Sequence, residues 1–264
     1  MKEPTVNELF DLSGKVALLT GASGWLGTAF SEALAEAGAS VIATSRDQQT
    51  ALEVAARLPI TGDNAHHGVA LDQLDEQSVN AGFDAALAAA GQIDILVNNG
   101  NAANTSDLTQ VTAEEFNTVQ KNATGYFLLA RCLRDHLVER QAAGSIIMIG
   151  SMYGQVASYP DAYEGVCPAS PVSYHALKGG IIHMTRHLAV YWAKYNVRVN
   201  CLSPGPFPGP KAPCEMVERL KTKSPMGRIG QPHELKGALV FLASEASSYM
   251  TGQNMTIDGG WTAW

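Results

Sequence analysis

Short apolar runs rich in β-branched residues alternate along the whole chain with longer stretches of helical periodicity, and this alternation restricts the fold more than any other feature. Residues 15–20, 40–44, 67–71, 93–98, 145–150, 197–203 and 254–258 have the length and the Gly, Asn, Asp or Pro boundaries of strands. Residues 25–37, 50–58, 75–90, 113–140, 171–195 and 232–244 read as the helices between them. Seven strands alternating with six helices require right-handed crossovers, so the strands run parallel and helices cover both faces. The expected fold class is α/β, a doubly wound seven-stranded parallel sheet flanked by helices. No repeat, linker or low-complexity tract divides the 264 residues, so residues 1–264 are expected to form a single domain. Two segments, 152–173 and 204–223, are too long for bare connections. Both follow strand ends, where the ligand site of such a sheet usually lies.

The first strand runs directly into Thr20-Gly21-Ala22-Ser23-Gly24-Trp25-Leu26-Gly27 and then a helix. Gly21 permits a tight turn, Gly24 lets the backbone approach a pyrophosphate, and Gly27 permits close packing of helix on strand. The helix start then offers N–H groups and a positive dipole end to phosphates. A glycine pattern in this strand–turn–helix context makes the domain an expected NAD(P)-binding Rossmann fold.

A second constellation is Tyr174-His175-Ala176-Leu177-Lys178. Residues i and i+4 share one helix face, which sets an ammonium beside a phenol. A free tyrosine has a pKa of about 10. A neighbouring cation stabilises the phenolate and brings proton transfer toward the working range.

Taken with its surroundings, the chain resembles the short-chain dehydrogenase/reductase family over essentially its whole length, in the short branch that holds gluconate 5-dehydrogenase-like and 3-oxoacyl reductase-like members. The resemblance rests on the glycine motif, on Asn98-Asn99-Gly100, on Asn122 within Gln120–Gly125, and on Ser151 closing the fifth strand. Arg198-Val199-Asn200 through Pro204-Gly205, Pro225–Arg228, and the final Thr251-Gly252-Gln253 to Asp258-Gly259-Gly260 complete it. It implies a catalytic set of Asn122, Ser151, Tyr174 and Lys178. Asn122 would help organise a proton-relay water, and Ser151 would hydrogen-bond the substrate oxygen. Tyr174 would act as acid in reduction and base in oxidation. Lys178 would lower the tyrosine pKa and hold the nicotinamide ribose. Read alone, Asn122 is equally an ordinary satisfied helix residue.

The resemblance also implies cofactor contacts from Gly21, Ser23, Gly24, Leu26, Gly27, Ser45, Arg46, Asp72, Asn99, Gly100, Tyr174, Lys178, Pro204 and Gly205. After the second strand an acidic side chain would accept from a ribose 2′-OH, whereas an Arg pairs with a 2′-phosphate. Here Ser45 takes the acidic position and Arg46 follows it, which favours NADP(H) and leaves NAD(H) possible. Arg46 is otherwise a solvated loop residue, and Asp72 otherwise a turn or cap Asp. Four departures stand out. Trp25 replaces the short branch's middle glycine, Asn101 replaces the last glycine of the Asn-Asn motif, and Gly209 stands where many members carry a threonine. The gap from Ser151 to Tyr174 is also longer than usual.

That gap contains Tyr153, Tyr159, Asp161, Tyr163, Glu164 and Cys167, and the second long segment carries Lys211, Arg219, Lys221 and Lys223. Aromatic and charged groups together suggest a small sugar, polyol or sugar acid, with the cations meeting a carboxylate. A solvated surface loop reads equally well. Leu177 and 183–192 on the Tyr–Lys helix, with Trp261 and Trp264 at the chain end, suggest apolar surface covered in a homo-oligomer, which the family resemblance implies to be a tetramer. His183 and His187 lie on the opposite side of that helix from Tyr174, and no third ligand accompanies them, so no metal is expected.

The net charge of −7 argues against a nucleic-acid or anionic-membrane partner. Four dispersed cysteines without a CxxC pair, no signal-like apolar core and no membrane-length apolar run point to the cytoplasm. The expected activity is NAD(P)-dependent interconversion of a secondary alcohol and a ketone. Two rivals are a nucleotide-sugar epimerase or dehydratase, which normally needs a larger C-terminal domain, and a non-catalytic NADP-binding sensor, which has no need of the Tyr–Lys pair.

Overall fold

All seven strand segments join one sheet in the computed structural model, which describes residues 3–103 and 106–264. The strands are β1 (Val16–Leu19), β2 (Ser40–Ser45), β3 (His67–Ala70), β4 (Ile95–Asn98), β5 (Gly144–Ile149), β6 (Val197–Pro204) and β7 (Asn254–Ile257). Their spatial order is β3-β2-β1-β4-β5-β6-β7, and every neighbouring pair is parallel. The chain winds outward from β1 to one edge, returns to β4 beside β1, and then builds the other half. A crevice therefore opens at the carboxyl ends of β1 and β4, where the winding reverses.

The helices are α1 (Val6–Phe10), α2 (Trp25–Glu36), α3 (Gln48–Arg57), α4 (Glu76–Ala90), α5 (Ala113–Glu139), α6 (Val172–Trp192), α7 (Cys214–Lys223) and α8 (Lys236–Ala243). Local chemistry sets several of their starts. Asp47 caps α3 through the Thr50 N–H, and Asp75 caps α4 through that of Gln77. Thr112 and Glu115 form a capping box at the start of α5.

Strand alternation sorts the core into two layers. In β5, Ile146 and Met148 join Phe83, Leu129, Leu133 and Ile181 beneath α4, α5 and α6. The intervening Ile147 and Ile149 join Phe30, Leu34, Leu239 and Leu242 beneath α2 and α8. Each face of the sheet is thus sealed by its own apolar layer.

Two elements escape the sequence pattern. Residues 204–223 read as loop, yet the last ten form α7, amphipathic and pinned by buried Leu220. The five-residue α1 is too short to show a period. Two burial expectations are also corrected. Leu177 is 1% exposed because it points into the α5–α6 layer, and Trp261 is 2% exposed because it packs with Tyr153 and Tyr159. Neither is available as oligomer surface. The outer face of α6 does leave Val190 and Tyr191 exposed, and Trp264 is exposed at the chain end. Among the described residues, no helix is long and apolar enough to cross a membrane.

Candidate active site

The crevice at the carboxyl ends of the strands holds a cleft of about 770 Å³. Its floor is the glycine loop. Gly21 adopts φ +63°, in the left-handed region that favours glycine, and a Cβ there would lie 2.9 Å from the Gly100 Cα. At Gly27 a Cβ would lie 2.0 Å from the Gly21 carbonyl oxygen. These contacts hold the start of α2 directly over β1. Gly24 is the N-cap of α2 and supplies no side-chain cap, so the first-turn N–H groups face the cleft without a side-chain acceptor. Asn99 locks the arrangement from β4, its Nδ2 donating to the Thr20 and Gly21 carbonyls at 3.0 and 3.1 Å. The Thr20 Oγ1 accepts from the Asn99 and Gly100 N–H groups at 2.9 and 2.8 Å.

Gly21, Ser23, Gly24, Leu26 and Gly27 line one side of this cleft, and Ser45, Arg46 and Asp72 line its far end. Asn99, Gly100, Pro204 and Gly205 border the middle, where Tyr174 and Lys178 also reach in. Every residue expected to touch a cofactor therefore faces a single elongated space. A donor-rich helix start, a floor with no room for side chains and a cleft of this volume fit a dinucleotide. Arg46 is exposed and makes no ion pair among the described residues, so its guanidinium can meet an anion. Asp72 also serves its own turn, accepting from the Leu74 N–H at 2.9 Å.

Three of the four expected catalytic side chains meet at one end of the cleft. Ser151 follows β5, while Tyr174 and Lys178 project from the first two turns of α6. The Ser151 oxygen accepts from the Tyr153 N–H at 3.1 Å, which leaves the Ser151 hydroxyl proton to hydrogen-bond the Tyr174 oxygen. Lys178 is 3% exposed; its Nζ donates to the Ile149 carbonyl at 2.7 Å and lies 5.5 Å from the centre of the Tyr174 ring. Burial brings the Lys178 ammonium down to about 8. Burial also pushes the Tyr174 hydroxyl above its ordinary value, and the Ser151 hydrogen bond draws it partly back. The expectation of a tyrosine pKa lowered by Lys178 is therefore corrected. Desolvation of the buried phenol sets the direction of its shift.

Asn122 lies apart from this group. It is fully buried in α5 and borders neither cavity described here. Its side-chain oxygen accepts from the Ala102 N–H at 2.8 Å and the Gln73 Nε2 at 2.6 Å, and its Nδ2 donates to the Ala102 and Val119 carbonyls, both at 2.8 Å. All of the side chain's capacity is spent on pinning the segment after β4 to α5. Gln73, which lines the cleft and also donates to the Gly100 carbonyl at 2.7 Å, was not legible in the sequence. Thr20 and Phe207, both lining the cleft, were missed too, since a strand-end Thr and a loop Phe carry no pattern. Two of the departures meet in space: a Cβ on Gly209 would touch the exposed Trp25 ring at 3.7 Å, across the cleft mouth.

A second cavity of about 430 Å³ opens beside Ser151 and Tyr174, bounded by segment 152–171, by 205–208 and by α7. The two long segments thus do wall one space next to the expected catalytic group. The charged groups do not enter it. Arg219 donates to the Asp161 and Glu164 carbonyls at 2.9 and 2.6 Å and pairs with Glu215. Lys223 pairs with Asp161, and Lys221 with Glu218. Lys211 is exposed and outside the lining. The expected carboxylate-binding role of these four cations is corrected, because Arg219 and Lys223 tie α7 to segment 152–171 from outside, Lys221 pairs within α7, and Lys211 faces away. His183 and His187 are exposed on the outer face of α6. Among the described residues, no cluster of three His, Cys, Asp or Glu could hold a metal.

Known proteins resemble this chain along its whole length. A family model described as enoyl-(acyl carrier protein) reductase matches residues 21–262. The ribulose-forming D-arabinitol 2-dehydrogenase of Scheffersomyces stipitis is 34% identical over 275 aligned residues, covering 97% of this chain and 96% of that protein. A D-threitol dehydrogenase of Mycolicibacterium smegmatis is 34% identical, with 99% and 98% covered. Among solved structures, a gluconate 5-dehydrogenase from Burkholderia cenocepacia in complex with NADP and tartrate superposes with a TM-score of 0.88 at 31% identity, covering 98% of this chain and all of that one.

Proposed function

The chain belongs to the short-chain dehydrogenase/reductase family, and from that premise we propose that it interconverts a secondary alcohol and a ketone on a small polyol or sugar, with NADP(H) as the cofactor. The observation that carries this reading is the meeting of Ser151, Tyr174 and Lys178 where the dinucleotide-shaped cleft joins the second cavity. The names of the relatives support the substrate class.

The nicotinamide supplies or accepts the hydride. The chain's own residues hold the substrate oxygen and move the proton. Ser151 and Tyr174 both border the second cavity, so a substrate oxygen there can hydrogen-bond both hydroxyls. In reduction Tyr174 gives its proton to the oxygen as negative charge develops on it. A phenol held above its ordinary pKa remains protonated at neutral pH and is ready for that task. In oxidation the proton returns to Tyr174, and the Ser151 hydroxyl and the Lys178 ammonium stabilise the phenolate that accepts it. Lys178 lines the cofactor cleft beside Tyr174, which suits a contact to the ribose next to the nicotinamide. Asn122 positions the segment after β4, so its support is to the shape of the cleft.

The preference for NADP(H) rests on unpaired Arg46 and on Ser45 standing where an acid would favour NAD(H). The exposed Val190 and Tyr191 on α6, with Trp264, support a homo-oligomer, for which the family resemblance suggests a tetramer and which light scattering would register as a mass above the 28.0 kDa of one chain. Four free cysteines support a reducing, cytoplasmic setting. The activity itself is tested by supplying polyols with NADP+ and the matching ketoses with NADPH, and following the nicotinamide absorbance. Turnover of members of this panel supports the reading, and none on any of them removes it.

A further inference from the structure

The second cavity is walled on one side by segment 152–171, which has a small core of its own. Met152, Tyr153, Ala162, Tyr163, Leu220 and Trp261 pack together there, separate from the two layers against the sheet. This segment is therefore a built wall rather than a solvated loop. Two of its members, Tyr153 and Tyr163, are 9% and 8% exposed, line the cavity, and join hydroxyl to hydroxyl at 2.6 Å. The Tyr153 ring is fixed from behind, stacked on His175 at 4.7 Å and edge-on to Trp261 at 6.4 Å.

Two phenols carry two hydroxyl protons, and only one lies in the bond between them. The other has no acceptor among the described residues, although both oxygens are buried at the cavity wall. A buried donor left without a partner is costly, so its natural acceptor is an oxygen of whatever fills the cavity. The rest of the lining is largely apolar, with Met152, Pro206, Phe207, Pro208, Met216 and Leu220 prominent. Among the described residues no lining residue is charged, and the basic groups of α7 are tied to acidic or carbonyl partners outside. A carboxylate placed here would lose its hydration without gaining a cation.

We propose that the substrate is uncharged and carries a further oxygen close to the carbon that reacts, and that the Tyr153–Tyr163 hydroxyl pair is the donor that recognises this second oxygen. The proposal rests on the alcohol–ketone reading above and narrows its polyol or sugar substrate to neutral polyols and ketoses, excluding sugar acids. Tyr163 comes from the extra length between Ser151 and Tyr174, so that insertion is the specificity element. The pair does not act on the reacting atoms; its effect falls on which substrate is held beside Tyr174.

The test compares three substrate sets with the intact enzyme and NADP+: neutral polyols, monohydric secondary alcohols, and aldonates of matched length. Wild-type enzyme should favour the polyols, with kcat/KM for the aldonates lower on the order of 100-fold. Tyr163→Phe and Tyr153→Phe keep both rings, and each should lower kcat/KM for polyols about tenfold or more, because a site built to donate to an oxygen discriminates strongly once the donor is lost. Turnover of monohydric alcohols should change less than about threefold, as no second oxygen is read in them. That retained turnover also reports that the variants fold. Equal losses on polyols and monohydric alcohols, no loss on either, or a wild-type preference for aldonates would each overturn the proposal. Wild-type enzyme inactive on all three sets would instead remove the oxidoreductase reading on which it rests.

Discussion

Replacing Lys178 with Met should make the protein more stable while crippling it, and the size of the gain follows from where the ammonium sits. Lys178 is 3% exposed and its pKa falls from 10.5 to about 8 because burial disfavours the charge. At about 1.36 kcal/mol per pKa unit, holding that ammonium in the fold costs about 3 kcal/mol at neutral pH. Methionine fills a similar volume without a charge, but it orphans the Ile149 carbonyl, which now accepts from Nζ at 2.7 Å. Losing that charge-assisted bond returns about 2 kcal/mol. The net gain of about 1 kcal/mol corresponds to a rise in Tm of roughly 2–4 °C for a chain of this size.

The pH dependence gives this gain a signature. Below about pH 8 the folded and unfolded lysine are both protonated, so the penalty on the wild type is fully present. Between about 8 and 10.5 the folded lysine has released its proton while the unfolded one still holds it, so wild-type stability rises relative to the variant. Thermal unfolding of both proteins without cofactor, from neutral pH to about pH 10, should show a gap that narrows through this window. A variant less stable than wild type at neutral pH, or a gap that does not change with pH, would refute the reasoning. Wild-type Lys178 is then retained for function at the expense of stability.

Two further outcomes follow from the same geometry. Arg46→Ala should weaken NADP+ binding about tenfold or more while leaving NAD+ within about twofold, because an unpaired guanidinium faces the 2′ end of the cleft; calorimetric titration with each cofactor checks this, and equal weakening of both would contradict it. Since burial raises the Tyr174 pKa, reduction should hold its rate at neutral pH and decline as the pH rises, whereas oxidation should speed up toward alkaline pH. Profiles of kcat in both directions that run parallel would be at odds with a raised tyrosine.

The sheet was legible because a parallel strand buried on both faces must be a short apolar run, and seven such runs stand out against the helical periods between them. The observed strand bounds differ from the expected ones by a residue or two, as where the ladder begins at Ile95 although the apolar run begins at Ile93. The α7 helix was hidden because five prolines before it suggest a stiff loop and its charged surface masks a single buried anchor, Leu220. The glycine floor was legible for the reason that close backbone approach leaves no other residue possible at Gly27. The role of Asn122 was not, because three of its four hydrogen bonds run to Ala102 and Gln73, 20 and 49 residues away along the chain. Charge was the most misleading signal. Lys221, Arg219 and Lys223 are close to the site along the chain, yet each is consumed by an acidic or carbonyl partner outside the cavity, while the Tyr153–Tyr163 bond that faces inward leaves no trace in spacing.

In the proposed mechanism Tyr174 moves the proton in a hydride transfer to or from a nicotinamide. Tyr174→Phe keeps the ring, its packing and the neighbouring Lys178, and it removes only the hydroxyl that meets Ser151. Single-turnover measurement of nicotinamide oxidation by this variant, alongside its affinity for NADPH, separates chemistry from binding. Cofactor affinity should stay within about twofold while the hydride-transfer rate falls by about 10² to 10⁴, the usual contribution of a positioned acid or base. A variant that binds NADPH normally and transfers hydride at close to the wild-type rate would contradict it.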